Sequence, residues 1–199
     1  MNKDLIKLMS SLFDPEQQAL DKNRGGSSME YTAKLRKELP VIFKKHNIQS
    51  IFDAGCNDCS WISTLIDNLE YHGGDASINM ITDLKIRRPD LKVSHHDVTT
   101  DPLPMVDLLF IKDVTIHINY ADKKKVIQNW LASNITWLMV THDEHENDNL
   151  DFNYADGFPF AQVNWELAPW NFPKPTDVIY EIGSAGRCMA LWHKHQICQ

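Results

Sequence analysis

The chain has 199 residues, 43% hydrophobic and 24% charged, with a formal net charge of −7. That is enough for one α/β domain with a full core and too few for two comfortable ones. The acidic balance argues against gripping a nucleic-acid backbone, because such binding rests on Lys and Arg neutralising phosphates. No uncharged apolar run reaches about 18 residues, so no membrane span is expected. The N-terminus carries charges among its apolar residues and lacks a signal-peptide apolar block, so the expected location is cytoplasmic.

Residues 1–22 read as an amphipathic helix with Leu5, Leu8, Met9 and Leu12 on one side. Arg24-Gly25-Gly26-Ser27-Ser28 is a break. Ser28 is the expected N-cap of a helix over 29–46, although Tyr31 stands where a capping box wants Glu or Gln. Leu35, Leu39, Ile42 and Phe43 form that helix's inner face. A strand at 49–53, a loop, a short helix at 60–68 and a second strand at 70–74 follow. A helix at 77–87 stops before Arg88-Pro89 and leads to a strand at 91–95. The nearly continuous apolar run Val106–Ile111 reads as a central strand buried on both faces. A helix at 120–133 and a strand at 137–141 complete the alternation, which implies a parallel, doubly wound sheet. Beyond 142 an acidic loop precedes 152–176, which is rich in aromatics and carries Pro159, Pro169, Pro173 and Pro175. Two last strands, 177–182 and 187–193, are joined by Gly183-Ser184-Ala185-Gly186 and are expected to add an antiparallel hairpin at the sheet edge.

The stretch Ile51-Phe52-Asp53-Ala54-Gly55-Cys56-Asn57-Asp58-Cys59-Ser60-Trp61 reads as a buried strand that stops at an acid, turns on small residues and enters a helix. Asp75 follows 22 residues after Asp53, at the end of the next strand. A strand, a tight turn and an acid about 20 residues on is the arrangement that holds a ribose in nucleotide-binding α/β folds. The loop has one glycine and no Gly-Lys-Ser/Thr, so it is not built to wrap a phosphate chain. An adenosine-bearing ligand without phosphates fits, and S-adenosylmethionine is the commonest cofactor of that kind. Cys56 and Cys59 form a C-x-x-C, which raises redox or zinc chemistry. Cys188 and Cys198, ten residues apart, do not supply a second close pair, so the two thiols are expected to fill space in the loop.

The order of strand–Asp53-x-Gly55-Cys56–helix, Gly73-x-Asp75, Asp97-Val98, the run Asp107-Leu108-Leu109-Phe110-Ile111-Lys112-Asp113-Val114, and His117 resembles the class I, Rossmann-like S-adenosylmethionine-dependent methyltransferases over about residues 48–142. The flanks resemble one small bacterial subgroup of unsettled substrate, in Gly25-Gly26-Ser27-Ser28-Met29-Glu30-Tyr31-Thr32 and in Trp165-Glu166-Leu167-Ala168-Pro169-Trp170-Asn171-Phe172-Pro173. Two positions depart from the pattern. Asn57 replaces the second glycine of the usual Asp-x-Gly-Cys-Gly, and Asn tolerates positive φ better than any residue but Gly. Cys59 stands where the subgroup has an aromatic or other apolar residue.

The resemblance implies an α/β, doubly wound, mostly parallel seven-stranded sheet with an antiparallel C-terminal hairpin. Residues 1–47 become N-terminal helices that lid the cofactor and substrate. Residues 48–199 form the core, with 143–176 as an acceptor-side insertion. Gly55 and Asn57 shape the turn, Asp53 accepts from the cofactor's amino group, Asp75 with Ala76 takes the ribose, and Asp97 with Val98 meets the adenine. Lys112 closes the pocket, while Ser27 and Ser28 meet the cofactor carboxylate at a helix start. His117 and Asp113 are the catalytic candidates for substrate contact and proton removal. Trp165, Trp170, Asn171 and Phe172 either wall the acceptor pocket or cover the core. His142-Asp143-Glu144-His145 has the donor types for a divalent metal, but a solvated loop is the plainer reading and no metal site is expected. The implied reaction is methyl transfer to oxygen or nitrogen of a small molecule or glycan. The alternative is a cofactor-binding protein that transfers nothing and acts through protein contacts.

Overall fold

In the computed structural model, residues 25–153, 160–183 and 186–198 are described; the helix expected over 1–22 lies outside them. The strands are β1 (Ser50–Ala54), β2 (Glu70–Asp75), β3 (Val93–His95), β4 (Leu108–Ile111), β5 (Trp137–Asp143), β6 (Asp177–Tyr180) and β7 (Arg187–His193). They form a seven-stranded sheet in the order β3-β2-β1-β4-β5-β7-β6. The pairs from β3 through β5 are parallel, and β7 lies antiparallel to both β5 and β6. This is the doubly wound sheet that the alternating pattern predicts.

Alternate side chains of a strand point to opposite faces, so each apolar strand feeds two cores. Ile51, Leu108, Phe110, Met139, Met189 and Leu191 meet α1 (Ala33–Lys45) and α2 (Ile78–Arg87), whose Leu35, Leu39, Met80 and Leu84 are buried against them. Their neighbours Phe52, Leu109, Ile111, Leu138, Val140 and Trp192 meet α3 (Tyr120–Ala132) through Val126, Ile127 and Trp130. Burial on both faces is why β4 and β5 read as continuous apolar runs. A short helix, α4 (Lys194–Ile197), follows β7.

Two local expectations are corrected. Residues 60–68 form two short 3-10 turns, Ile62–Thr64 and Ile66–Asn68, instead of one helix. The second helix starts at Ala33 behind Thr32, and Ser28 instead braces the preceding turn, its Oγ accepting from Tyr31 N at 3.1 Å. The terminal hairpin joins the sheet edge antiparallel as expected, with its two strands in reversed order. The wholly apolar centre of β7 takes the inner place beside β5, and β6, half exposed, becomes the outer strand. Burying the more apolar strand on both faces removes more surface from water.

Candidate active site

From β1 the chain steps outward to β2 and β3 on one side, then crosses to β4 and β5 on the other. Loops leaving the carboxyl ends of β1 and β4 therefore part, and the crevice between them is where ligands enter open α/β sheets. Here it is a small open cleft. Ser27, Asp53, Gly55, Asn57 and Lys112 line it as the sequence anticipates, joined by Cys56, Asp58 and Trp61.

The turn after β1 is built on left-handed residues: Gly55 at φ +89°, Asn57 at +48° and Cys59 at +55°. Asn57 holds the backbone conformation that its substitution for glycine anticipates. Gly55 has a second reason to lack a side chain, since a Cβ there would lie 2.2 Å from Val114 Cγ2. Asn57 also carries a buried Oδ1 that has no hydrogen-bond partner among the described residues. Such an atom is costly unless a ligand donor reaches it.

Asp53 ends its strand buried beside the cleft, accepting from the Tyr71 hydroxyl at 2.9 Å. Burial, reinforced by the charge of Asp75, raises its pKa to about 7 against the opposing pull of Tyr71 and Lys112. Asp75, at the end of β2, accepts from Asn57 N at 3.1 Å and from Ser77 N at 2.8 Å. It thereby ties the β1 turn to the N-cap of α2, while each oxygen keeps a lone pair for another donor. Burial raises its pKa too. Ala76 follows, its carbonyl 3.1 Å from His95 Nε2.

Asp97 holds a turn, with Oδ1 accepting from Thr99 N at 3.0 Å and Thr99 Oγ1 at 2.7 Å. The Val98 side chain is buried in the second core, and its carbonyl accepts from Asn129 Nδ2 at 2.9 Å.

Lys112 is buried and joins Asp113 in an ion pair; Glu181 Oε1 lies 2.9 Å from its Nζ. Burial pulls the lysine pKa down, but Asp113 and Glu181 together outweigh it and hold the ammonium charged. Asp113 is likewise held low by Lys112 and Arg187 despite its burial. Its backbone is left-handed at φ +56°, and its N–H donates to Thr141 Oγ1 at 2.8 Å. Arg187 continues the network, with Nε 2.8 Å from Asp143 Oδ1 and Nη1 3.8 Å from Asp113 Oδ1. Gly26 rests on this cluster so closely that a Cβ would lie 2.5 Å from Asp113 Oδ2. His117 ends a 3-10 turn, Thr115–His117, near enough for its charge to bear on Asp113, with its ring 6.0 Å from that of Phe160.

Trp165 is fully buried, its Nε1 donating to Thr141 O at 3.0 Å, and Phe172 packs between it and Trp192. These two are core residues, which favours the core-covering reading of the segment over an acceptor wall for them. Trp170 is half buried against Tyr120, and Asn171 is exposed. His142 points inward, its Nδ1 taking the Trp165 N–H at 3.2 Å, and burial lowers its pKa. Among the described residues no group of three or more His, Cys, Asp or Glu is arranged to hold a metal ion. Among the same residues no helix is long and apolar enough to cross a membrane.

Glu181, Arg187 and Tyr71 escape sequence reasoning. Glu181, just past β6, and Arg187, at the start of β7, lie some seventy residues beyond Lys112, and their one signal is a lone charge beside an apolar strand. Tyr71 reads as an ordinary strand aromatic.

No protein-family model and no curated protein matches the sequence. The fold is similar to the methyltransferase domain of bacterial CtHen1, at 15% identity and a TM-score of 0.59, over 80% of this chain and 97% of that one. It is also similar to magnesium protoporphyrin IX methyltransferase (ChlM) from Synechocystis PCC 6803 with bound S-adenosylmethionine, at 13% identity and a TM-score of 0.60, over 97% and 99%. A third likeness is to phosphoethanolamine N-methyltransferase 1 of Haemonchus contortus in complex with phosphoethanolamine and S-adenosylhomocysteine, at 12% identity and a TM-score of 0.58, over 83% and 39%. At these identities the likeness is one of fold.

Proposed function

We propose that the chain is an S-adenosylmethionine-dependent methyltransferase acting on oxygen or nitrogen of a small molecule or glycan. The observation that carries this reading is the cleft at the β1–β4 switch point, where Asp53, Asn57 and Lys112 meet and Asp75 stands one strand away. The donor set fits the cofactor. Asp53 and Asp58 in the lining, with Asp75 behind the turn, suit a ligand carrying a sulfonium and an ammonium group. Asp75 has lone pairs left for two ribose hydroxyls, and Asn57 Oδ1 has no donor among the described residues. Two of the similar folds were solved with this cofactor or its demethylated product bound.

When bound, the cofactor supplies a methyl group already activated on sulfur. The chain's own residues then have to align and to move a proton. Positioning an acceptor for in-line attack can account for about 7–11 kcal/mol of the barrier. In this reading His117, whose charge bears on Asp113, takes the acceptor's proton as the methyl carbon leaves sulfur for the acceptor. Residues 143–176 and the N-terminal segment are the assigned acceptor side, with Trp170 and Asn171 as its candidate contacts and a cytoplasmic setting.

Calorimetry with S-adenosylmethionine and S-adenosylhomocysteine tests the reading. Both are expected to bind, and Asp75→Ala is expected to weaken both at least about tenfold, the loss of charge-assisted hydrogen bonds to the ribose. Absence of binding by the intact chain overturns it. Binding without turnover of labelled cofactor across a metabolite extract supports the alternative of a binding protein that acts through protein contacts.

A further inference from the structure

Behind the cleft lies a short buried chain of polar groups that methyl transfer itself does not require. The Tyr71 hydroxyl donates to Asp53 Oδ2 at 2.9 Å, and on its other side Cys59 Sγ lies 3.3 Å away. Cys59 also pushes up the pKa of Cys56, its neighbour in the turn. One buried hydroxyl thus reaches a carboxylate that borders the ligand cleft, with a buried thiol in line behind it. The fold makes room for this. Gly73 stands two residues from Tyr71 on the same face of β2, and a Cβ there would lie 2.8 Å from the Tyr71 hydroxyl and 3.0 Å from Cys56 Sγ.

We propose that Tyr71 is a positioning residue whose hydroxyl, steadied by Cys59, holds Asp53 in the orientation and the ionised form that grips the ligand's ammonium group. The role in binding rests on the methyltransferase reading above; the hold on Asp53 does not.

The groups facing Asp53 come from every neighbouring element: Tyr71 and Asp75 on β2, Lys112 at the end of β4, and the two thiols in the turn. Burial and Asp75 disfavour the carboxylate, while Tyr71 and Lys112 favour it. Lys112 is already shared between Asp113 and Glu181. Tyr71 is therefore the partner most free to act on Asp53 alone. Burial and the neighbouring charges of Asp53 and the thiols push the Tyr71 pKa well above its ordinary value, so it remains a donor across the working pH range. A hydrogen bond relayed from Cys59 strengthens that donation.

The experiment has two arms, on wild type, Tyr71→Phe and Cys59→Ala. In the first, carboxyl-labelled aspartate is followed by NMR titration in the ligand-free protein. Tyr71→Phe is expected to move the Asp53 midpoint up by about one pH unit, and Cys59→Ala to move it the same way by less. An unmoved midpoint in Tyr71→Phe overturns the proposal. In the second arm, S-adenosylhomocysteine affinity is measured by calorimetry from about pH 6 to pH 9. The ratio of wild-type to Tyr71→Phe affinity is expected to be about tenfold near pH 6 and to approach one near pH 9. Taking the ratio cancels the ligand's own titration. A ratio constant in pH means a merely structural loss and overturns the binding role. If wild type binds nothing at any pH, the cofactor reading fails while the first arm still decides whether Tyr71 governs Asp53.

Discussion

Asp53 shows a conflict between binding and stability. An acid whose pKa is raised in the folded state holds its proton more tightly folded than unfolded. The resulting penalty is absent below the ordinary carboxylate range, grows as pH rises toward the folded value of about 7, and is complete above it. Asp53→Asn removes the charge and keeps an oxygen for the Tyr71 hydroxyl. Its melting temperature is therefore expected to exceed wild type by about 3–10 °C near pH 8 and to match it below about pH 4, as scanning calorimetry at both pH values checks. Affinity for S-adenosylhomocysteine should fall in the same variant. His117 makes the opposite trade. His117→Ala is expected to lower turnover about 10²-fold or more while leaving cofactor affinity within about twofold. Unchanged turnover in single-turnover assays removes it from the mechanism.

Among the elements, the turn after β1 bears the tightest geometry. Gly55→Ala must accept φ +89° and a Cβ 2.2 Å from Val114 Cγ2, so denaturant unfolding is expected to show a loss of at least about 2 kcal/mol. Pairing it with Val114→Ala relieves the contact and should recover part of the loss, leaving the backbone strain. Most of this layer is legible in the sequence. Short continuous apolar runs give β1, β4 and β5, and the small-residue turn and Asp75 give the cleft. The 3-10 turns at 62–68 are not legible, because Ile62, Leu65 and Ile66 keep helical spacing while the chain tightens under Trp61. Nor is the burial of Trp165 and Phe172: composition marks an aromatic segment without saying which rings meet Trp192 across the sheet. Val98 is similar, an apolar residue in a loop whose face only α3 decides.

For the whole molecule, the cluster of Lys112, Asp113, Glu181, Arg187 and Asp143 joins the middle of the sheet to its outer strands. Removing one member of a buried ionic group leaves its partner uncompensated, which typically costs about 3–5 kcal/mol. Glu181→Ala is thus expected to destabilise the chain by that order in urea unfolding and to loosen the cleft wall at Lys112, measurable as faster hydrogen exchange at the ends of β4 and β6. The sequence hides this connection because its members lie in segments separated by dozens of residues, brought together by the placement of β7 between β5 and β6.

That placement has a bearing on biosynthesis. On a ribosome, β5 emerges long before the strand that will flank it. Until then its backbone donors and acceptors stand open along Trp137–Asp143, an apolar ladder ready to pair with any extended segment nearby. A nascent polypeptide halted before residue 177 is accordingly a template for self-association, and arrival of the final two strands turns it into a closed product.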